Sequence, residues 1–169
     1  LKNGAFRDEQ IRKRIAGQFA ERGVAENRLD WRGHVEKTAD HLSLYNEIDI
    51  GLDPFPYAGT TTTCEALWMG VPVVTLRGQS HVSRVGVSLL SQVGLNELVA
   101  RDAEDYVRIA ADLAGDRGRL ASLRRGLRTA VGESSLCDAV GFTRGVEAVY
   151  LSMWRNGCAA QQETLSRAG

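Results

Sequence analysis

The sequence predicts an open, parallel α/β sheet of the Rossmann-like kind, with helices on both faces. Short apolar segments alternate with helical ones and are joined by short loops, which is the pattern of β–α–β units. The clearest unit occupies residues 48–76 and contains a strand, a loop with two prolines, a helix and a second strand. Its loop follows the carboxyl end of the first strand, where ligands bind in such sheets.

Composition and charge exclude several classes of protein. The 169 residues include 21 Lys+Arg and 21 Asp+Glu, so nothing indicates the basic excess that is typical of nucleic-acid binding. No apolar run approaches the roughly 20 residues that span a membrane. Cys64, Cys137 and Cys158 are widely spaced and form no metal-ligand pattern, so we interpret them as reduced thiols of a cytoplasmic protein.

The ends of the chain suggest its organisation. Leu1 and Lys2 look like the tail of a strand, so we expect a fragment of a larger protein. We predict one α/β domain over residues 1–157, followed by a polar tail over residues 158–169.

Before the central unit, apolar spacing predicts a helix over residues 8–21, with Gly23 as its stop. Residues 28–32 are predicted to form a short strand that leads into the loop 33–37. Thr38 is then expected to cap a helix whose Leu42 and Tyr45 face inward.

After the central unit, whose helix Gly70 should end, the pattern predicts four more helices and one strand. A helix begins at Ser80 and ends at Gly94, a strand covers residues 97–100, and Asp102 caps the next helix. A further helix carries apolar residues between 120 and 131, and the last ends near residues 156–157.

The start of the central helix is unusual because four β-branched residues occur there: Thr60, Thr61, Thr62 and Thr63. A helix amino terminus leaves several backbone N–H groups unpaired and carries a partial positive charge. Threonine hydroxyls after Gly59 would add donors, so the pattern favours a phosphate or diphosphate site. The alternative is that one threonine caps the helix and the others fill space.

Other polar residues near this unit allow two interpretations each. Glu65 can accept hydrogen bonds from ribose hydroxyls, or it can be an ordinary surface glutamate. His41 can bond a diphosphate or stack near a base, or it can be exposed on a helix. Asp49 and Asp53 have no third ligand nearby, so we predict no metal and assign Asp53 to bonding its own loop.

Residues 49–75 carry a resemblance to a known family, since they read DIGLDPFPYAGTTTTCEALWMGVPVVT. This run resembles the carboxyl-terminal catalytic half of the O-GlcNAc transferase/SPINDLY glycosyltransferases. The segments SRVGVSLL at 83–90, VGL at 93–95 and LSMW at 151–154 are similar to the same family. The resemblance implies the second lobe of a two-lobed GT-B enzyme, in which tetratricopeptide repeats precede the catalytic region.

The resemblance also implies individual roles. Thr61 and Thr62 match paired threonines at the donor diphosphate, Glu65 the acidic residue at the ribose, and His41 a histidine beside the base. Loop 33–37 would contact the base. The chain has Thr60 and Thr38 where animal members have His and Lys, and its four-threonine form is more similar to SPINDLY, whose plant members use GDP-fucose.

The activity that the resemblance implies is inverting, metal-independent transfer of a sugar to protein Ser or Thr hydroxyls. The donor is UDP-GlcNAc or, in the alternative, GDP-fucose, and no cofactor is expected. The expected partners are the nucleotide sugar, an acceptor protein, the amino-terminal lobe and the repeats, with the catalytic residues mainly in that other lobe. A non-catalytic interaction module and a sugar-nucleotide epimerase remain as alternatives.

Overall fold

The computed structural model describes the backbone of residues 1–167 and the side chains of residues 1–159. The chain divides into two compact units, Leu1–Leu44 and Tyr45–Gly169. This division does not test the predicted domain bounds, and the single domain over residues 1–157 stays a prediction.

The amino-terminal unit contains two α-helices, α1 at Glu9–Ala20 and α2 at Thr38–Ser43, and 3-10 turns at Gly4–Arg7 and Glu26–Arg28. The predicted first helix is confirmed. The carboxylate of Asp8 caps α1 by accepting from the N–H of Gln10 at 2.8 Å, and Gly23 ends the turn with φ of 77°, where a side chain would be strained.

Two predictions in this unit are wrong. The strand over residues 28–32 reduces to one parallel bridge between Lys2 and Arg32, because 3-10 turns begin or end within a few residues of both partners. Thr38 does not cap α2. Lys37 occupies the extended cap position, with φ of −86° and ψ of 129°, and Thr38 is already helical.

The second unit is built on three parallel strands in the order β1-β2-β3. They are β1 at Gly51–Leu52, β2 at Val73–Leu76 and β3 at Val99–Ala100, with Gly51 opposite Val73 and Thr75 opposite Val99. The crossovers contain α3 at Thr61–Trp68 and α4 at Val85–Gln92. They are followed by α5 at Ala103–Gly115, α6 at Arg117–Glu133 and α7 at Ala139–Arg167. The predicted open parallel α/β sheet is confirmed.

The strands are shorter than the apolar runs predicted, for local reasons. The N–H of Val71 donates to the carbonyl of Ala66 at 2.8 Å, so this residue completes the end of α3, and Pro72 has no N–H for a ladder. Gly70 ends α3 as predicted, with φ of 83°. Before β3, Asn96–Leu98 forms a 3-10 turn.

Helix α4 also begins later than predicted, at Val85. The hydroxyl of Ser83 accepts from the N–H of Ser80 at 3.0 Å and donates to its carbonyl at 2.9 Å. These bonds hold a turn that competes with helix formation. Val82 is consequently exposed and lies before the helix.

The core of this unit lies between β2 and the helices that pack around it. Burying one such leucine or valine stabilises the fold by about 1.5–3 kcal/mol. Asp102 caps α5 as predicted, accepting from the N–H of Asp105 at 2.8 Å. Among the described residues, the largest fully buried apolar side chains are Leu67, Val71, Pro72, Val74, Leu90, Leu98 and Leu113.

The last helix, α7, continues to Arg167 instead of ending near residues 156–157. Gly157 is tolerated inside it because residues 159–165 are mostly good helix formers. Part of the predicted polar tail is therefore helical, and residues 168–169 lie outside the described residues. No described helix combines the length and the apolar character required to cross a bilayer.

Candidate functional site

The site begins where β1 ends and the loop of residues 53–60 leads into α3. The first intrahelical hydrogen bond of α3 runs from the N–H of Cys64 to the carbonyl of Thr60 at 3.1 Å. The N–H groups of Thr61, Thr62 and Thr63 precede that bond, and within the described part of the chain no side chain caps this helix. Thr60 occupies the cap position without using its hydroxyl as a cap. The helix therefore presents a cluster of unpaired donors.

The four threonines are not equivalent. Thr60, Thr61 and Thr62 are exposed, whereas Thr63 is 4% exposed. A Cβ placed on Gly59 would lie 2.8 Å from the hydroxyl oxygens of both Thr62 and Thr63. Glycine is thus required here for space, and the loop passes directly over the first turn of the helix. We call residues 59–63 the threonine tip.

Asp53 fastens this loop to the sheet, which confirms its predicted role in bonding its own loop. Its carboxylate is buried and accepts from the N–H of Gly59 and from the hydroxyl of Thr75, each at 2.7 Å. Burial raises the pKa of this carboxyl above its usual value, although the two hydrogen bonds partly oppose that rise.

Glu65 is held by Tyr45, which the sequence predicted only to face inward from a helix that begins near Thr38. The hydroxyl of Tyr45 lies 3.1 Å from Oε2 of Glu65 and 3.3 Å from the carbonyl of Thr62. Burial, and then the charge of Glu65, raise the pKa of Tyr45 well above its usual value. The tyrosine therefore remains a neutral donor at neutral pH.

Arg124 of α6 in turn supports the segment that carries Tyr45. Its guanidinium donates to the carbonyls of Ile48 at 2.7 Å, Tyr45 at 3.3 Å and Asn46 at 3.4 Å. Arginine is well suited to this task because its several donors are held in one plane. The sequence offered no signal for this contact, which joins residues more than 70 positions apart.

Cavities lie at both ends of the strands. A space of about 140 Å³ beside Tyr45, Asp53 and Thr62 borders the threonine tip. A groove of about 410 Å³ lies beyond the carboxyl ends of β2 and β3, next to Phe55 and Arg77. The larger space of about 490 Å³ lies by Asp49, before β1 begins, and hence at the other end from the threonine tip.

His41 belongs to the amino-terminal unit, where it lies in α2 and its Nδ1 pairs with the ammonium of Lys2. Its predicted place beside a base, like that of loop 33–37, stays a prediction. Among the described residues no group of three or more His, Cys, Asp or Glu side chains could hold a metal ion.

The fold matches a solved glycosyltransferase over nearly its whole length. It resembles an O-GlcNAc transferase from Thermobaculum terrenum with a TM-score of 0.88 and 43% identity, over 95% of this chain and 31% of that one. The architecture is thus that of the carboxyl-terminal lobe of a GT-B glycosyltransferase.

Sequence comparison gives the family. The protein-family model described as glycosyl transferase family 41 matches residues 8–146. This chain therefore belongs to that family. It is 46% identical over 159 residues to a probable UDP-N-acetylglucosamine–peptide N-acetylglucosaminyltransferase SPINDLY of Oryza sativa, which covers 94% of this chain and 17% of the rice protein. It is 33% identical over 148 residues to a UDP-N-acetylglucosamine–peptide N-acetylglucosaminyltransferase of Caenorhabditis elegans, covering 88% of this chain and 12% of that protein.

Proposed function

We propose that this chain is the donor-binding half of an inverting, metal-independent protein O-glycosyltransferase that moves GlcNAc from UDP-GlcNAc to Ser or Thr hydroxyls. The observation that carries the proposal is the threonine tip, whose unpaired N–H groups begin α3 at the carboxyl end of β1. Family membership and the names of the relatives support it.

In the proposed step the acceptor hydroxyl attacks the anomeric carbon and the bond from that carbon to the β-phosphate oxygen breaks. The hydroxyl proton passes to a base of the proposed amino-terminal lobe or to the departing diphosphate, and the nucleoside diphosphate leaves with added negative charge. The N–H groups and hydroxyls of Thr61 and Thr62 would donate hydrogen bonds to that charge. Such bonds are stronger in the transition state than in the ground state, because the departing phosphate oxygen carries more negative charge there than in the intact donor. A charge-assisted hydrogen bond contributes about 1.5–3 kcal/mol.

Glu65 is proposed to accept hydrogen bonds from the two ribose hydroxyls. The bond from Tyr45 at 3.1 Å fixes its carboxylate before the ligand arrives, and pre-fixed groups lose less entropy on binding. His41 and loop 33–37 are proposed to contact the base, as the family resemblance implies.

The nucleotide is identified by thermal protection of the chain. A ligand that binds only the folded state raises its stability in proportion to the logarithm of its concentration over Kd, so UDP, GDP, UMP and GMP are compared at equal concentration. Stronger protection by UDP than by the other three supports the UDP-GlcNAc proposal. Stronger protection by GDP supports the GDP-fucose alternative, and protection by none supports a non-catalytic module.

Testing transfer to an acceptor requires the full-length protein. The proposed partners of this chain in that protein are an amino-terminal lobe and tetratricopeptide repeats. Transfer of labelled GlcNAc to a Ser/Thr peptide is the expected result, whereas consumption of UDP-GlcNAc without any acceptor would indicate the epimerase alternative. The three cysteines are free thiols, in agreement with the proposed cytoplasmic location.

A further inference from the structure

We propose that Asp53 is a positioning residue for donor binding, and that its buried carboxylate fixes the threonine tip in the arrangement that receives the diphosphate. This inference rests on the proposed function. The side chain of Asp53 is only 3% exposed, so its effect is transmitted through Gly59 and the loop.

Asp53 is anchored to the sheet through its backbone. Its N–H donates to the carbonyl of Val74 of β2 at 3.0 Å, and its carbonyl accepts from the hydroxyl of Tyr106 of α5 at 2.9 Å. The side chain, 3% exposed, then reaches Thr75 with Oδ2 and Gly59 with Oδ1. One residue therefore links β2, α5 and the threonine tip.

Two glycines make room for the carboxylate. A Cβ on Gly59 would lie 3.3 Å from Oδ1, and a Cβ on Gly86 of α4 would lie 2.5 Å from Oδ2 and 2.3 Å from the hydroxyl oxygen of Thr75. Both glycines have φ outside the left-handed region, so space alone explains them. The contact is therefore sensitive to a single methyl group on either side.

A buried charge is costly unless hydrogen bonds compensate for it. If the carboxylate served only the fold, an apolar pair of similar volume would fill the same space with less desolvation. The bond to Gly59 instead specifies the direction of one N–H two residues before α3 begins. The adjacent N–H groups of the threonine tip are thereby held in register for an anion.

The test compares nucleotide affinity among variants of the whole chain by NMR titration with UDP and with GDP. Asp53→Ala should weaken binding roughly tenfold or more, as expected when a charge-assisted hydrogen bond is lost. Asp53→Asn should restore affinity to within about threefold of wild type, because its amide oxygen can still accept from Gly59 and its nitrogen can donate to Thr75. Gly86→Ala should also weaken binding, because a Cβ 2.5 Å from Oδ2 would displace the whole carboxylate and with it the contact at Oδ1.

Thr75→Val is the matched control, because it removes the contact at Oδ2 and leaves the contact at Oδ1. It should lower Tm while affinity stays within about twofold, since the bond to Gly59 remains. Every titration is run at a temperature where circular dichroism shows the variant to be folded. Equal losses of affinity in Asp53→Ala and Thr75→Val, or no rescue by Asp53→Asn, would overturn the inference. Failure of wild type to bind either nucleotide would instead refute the proposed function.

Discussion

At the scale of single residues, the threonine tip separates into a surface and a support. Thr60, Thr61 and Thr62 are exposed, whereas Thr63 is buried beneath Gly59. Four identical residues in a row cannot be separated into these roles by sequence alone, because the division depends on where the loop crosses the helix. Sequence reasoning did predict that the run begins a helix and that Asp53 bonds its own loop.

The contact between Tyr45 and Glu65 predicts a preference for ribose. Wild type should bind UDP more tightly than 2′-deoxy-UDP by roughly tenfold to a hundredfold, the value of a hydrogen bond to a charged group. Tyr45→Phe should narrow this ratio, because the carboxylate of Glu65 loses its 3.1 Å contact with the tyrosine hydroxyl. Calorimetric titration of both nucleotides measures the ratio.

Tyr150→Phe serves as the control for that substitution, since Tyr150 is exposed on α7. It should leave both affinities unchanged. A full ribose preference in Tyr45→Phe would mean that Tyr45 does not orient the ribose-binding group.

At the scale of elements, the presence of the helices was predicted well, whereas the start of α4, the end of α7 and the ends of the strands were predicted poorly. The 3.6-residue spacing of apolar side chains is a local property, and the Asp8 and Asp102 caps confirm where α1 and α5 begin. Strand length depends on partners from distant parts of the chain, so β1 and β3 contain only two residues each. For the same reason the contacts of Tyr45 and Arg124 could not be read from spacing.

The first turn of α5 predicts an acid-sensitive contribution to stability. Hydrogen bonds from Arg101, and then from Arg108, hold the pKa of buried Asp105 well below its usual value. Because the folded pKa lies below the unfolded one, this stabilisation is present above about pH 4 and is lost as the pH falls through the folded pKa. Asp105→Asn should lower Tm at neutral pH, and the difference from wild type should shrink in acid.

Melting curves recorded from about pH 7 down to about pH 2 measure this convergence. Asp112→Asn is the control, because Asp112 forms an exposed pair with Arg108 at 2.9 Å and exposed pairs contribute little. A Tm difference between Asp105→Asn and wild type that persisted unchanged in acid would contradict the assignment.

Two glycines in different elements, Gly59 in a loop and Gly126 in a helix, should respond in opposite directions to alanine. Gly59→Ala should lower both Tm and nucleotide affinity, since its Cβ would lie 2.8 Å from two threonine hydroxyls. Gly126→Ala in α6 should raise stability by about 0.5–1 kcal/mol, because its Cβ meets nothing within 4 Å among the described residues and alanine favours a helix. Urea unfolding of both variants measures the effects, and stabilisation by Gly59→Ala would refute the packing described for the loop.

At the scale of the whole molecule, the sequence predicted the fold and the family, whereas the site was predicted only in outline. The β–α–β pattern and the residues 49–75 were sufficient for the parallel sheet and for the resemblance that the comparisons confirm. The chain spans 17% of the length of the rice relative. The acceptor protein and the remaining catalytic groups are therefore proposed only for the full-length protein. His41 lies in the other compact unit, and its role stays a prediction.

The central claim is that the threonine tip binds the diphosphate. The most direct test titrates nucleoside diphosphate and monophosphate, UDP against UMP and GDP against GMP, into wild type and into the double variant Thr61→Ala/Thr62→Ala. We expect wild type to prefer the diphosphate. Thr61→Ala or Thr62→Ala alone should cost roughly tenfold to a hundredfold in diphosphate affinity, the equivalent of one charge-assisted hydrogen bond, and the double variant should lose at least as much. Monophosphate affinity should change much less. A double variant that kept the full preference for the diphosphate would contradict the account.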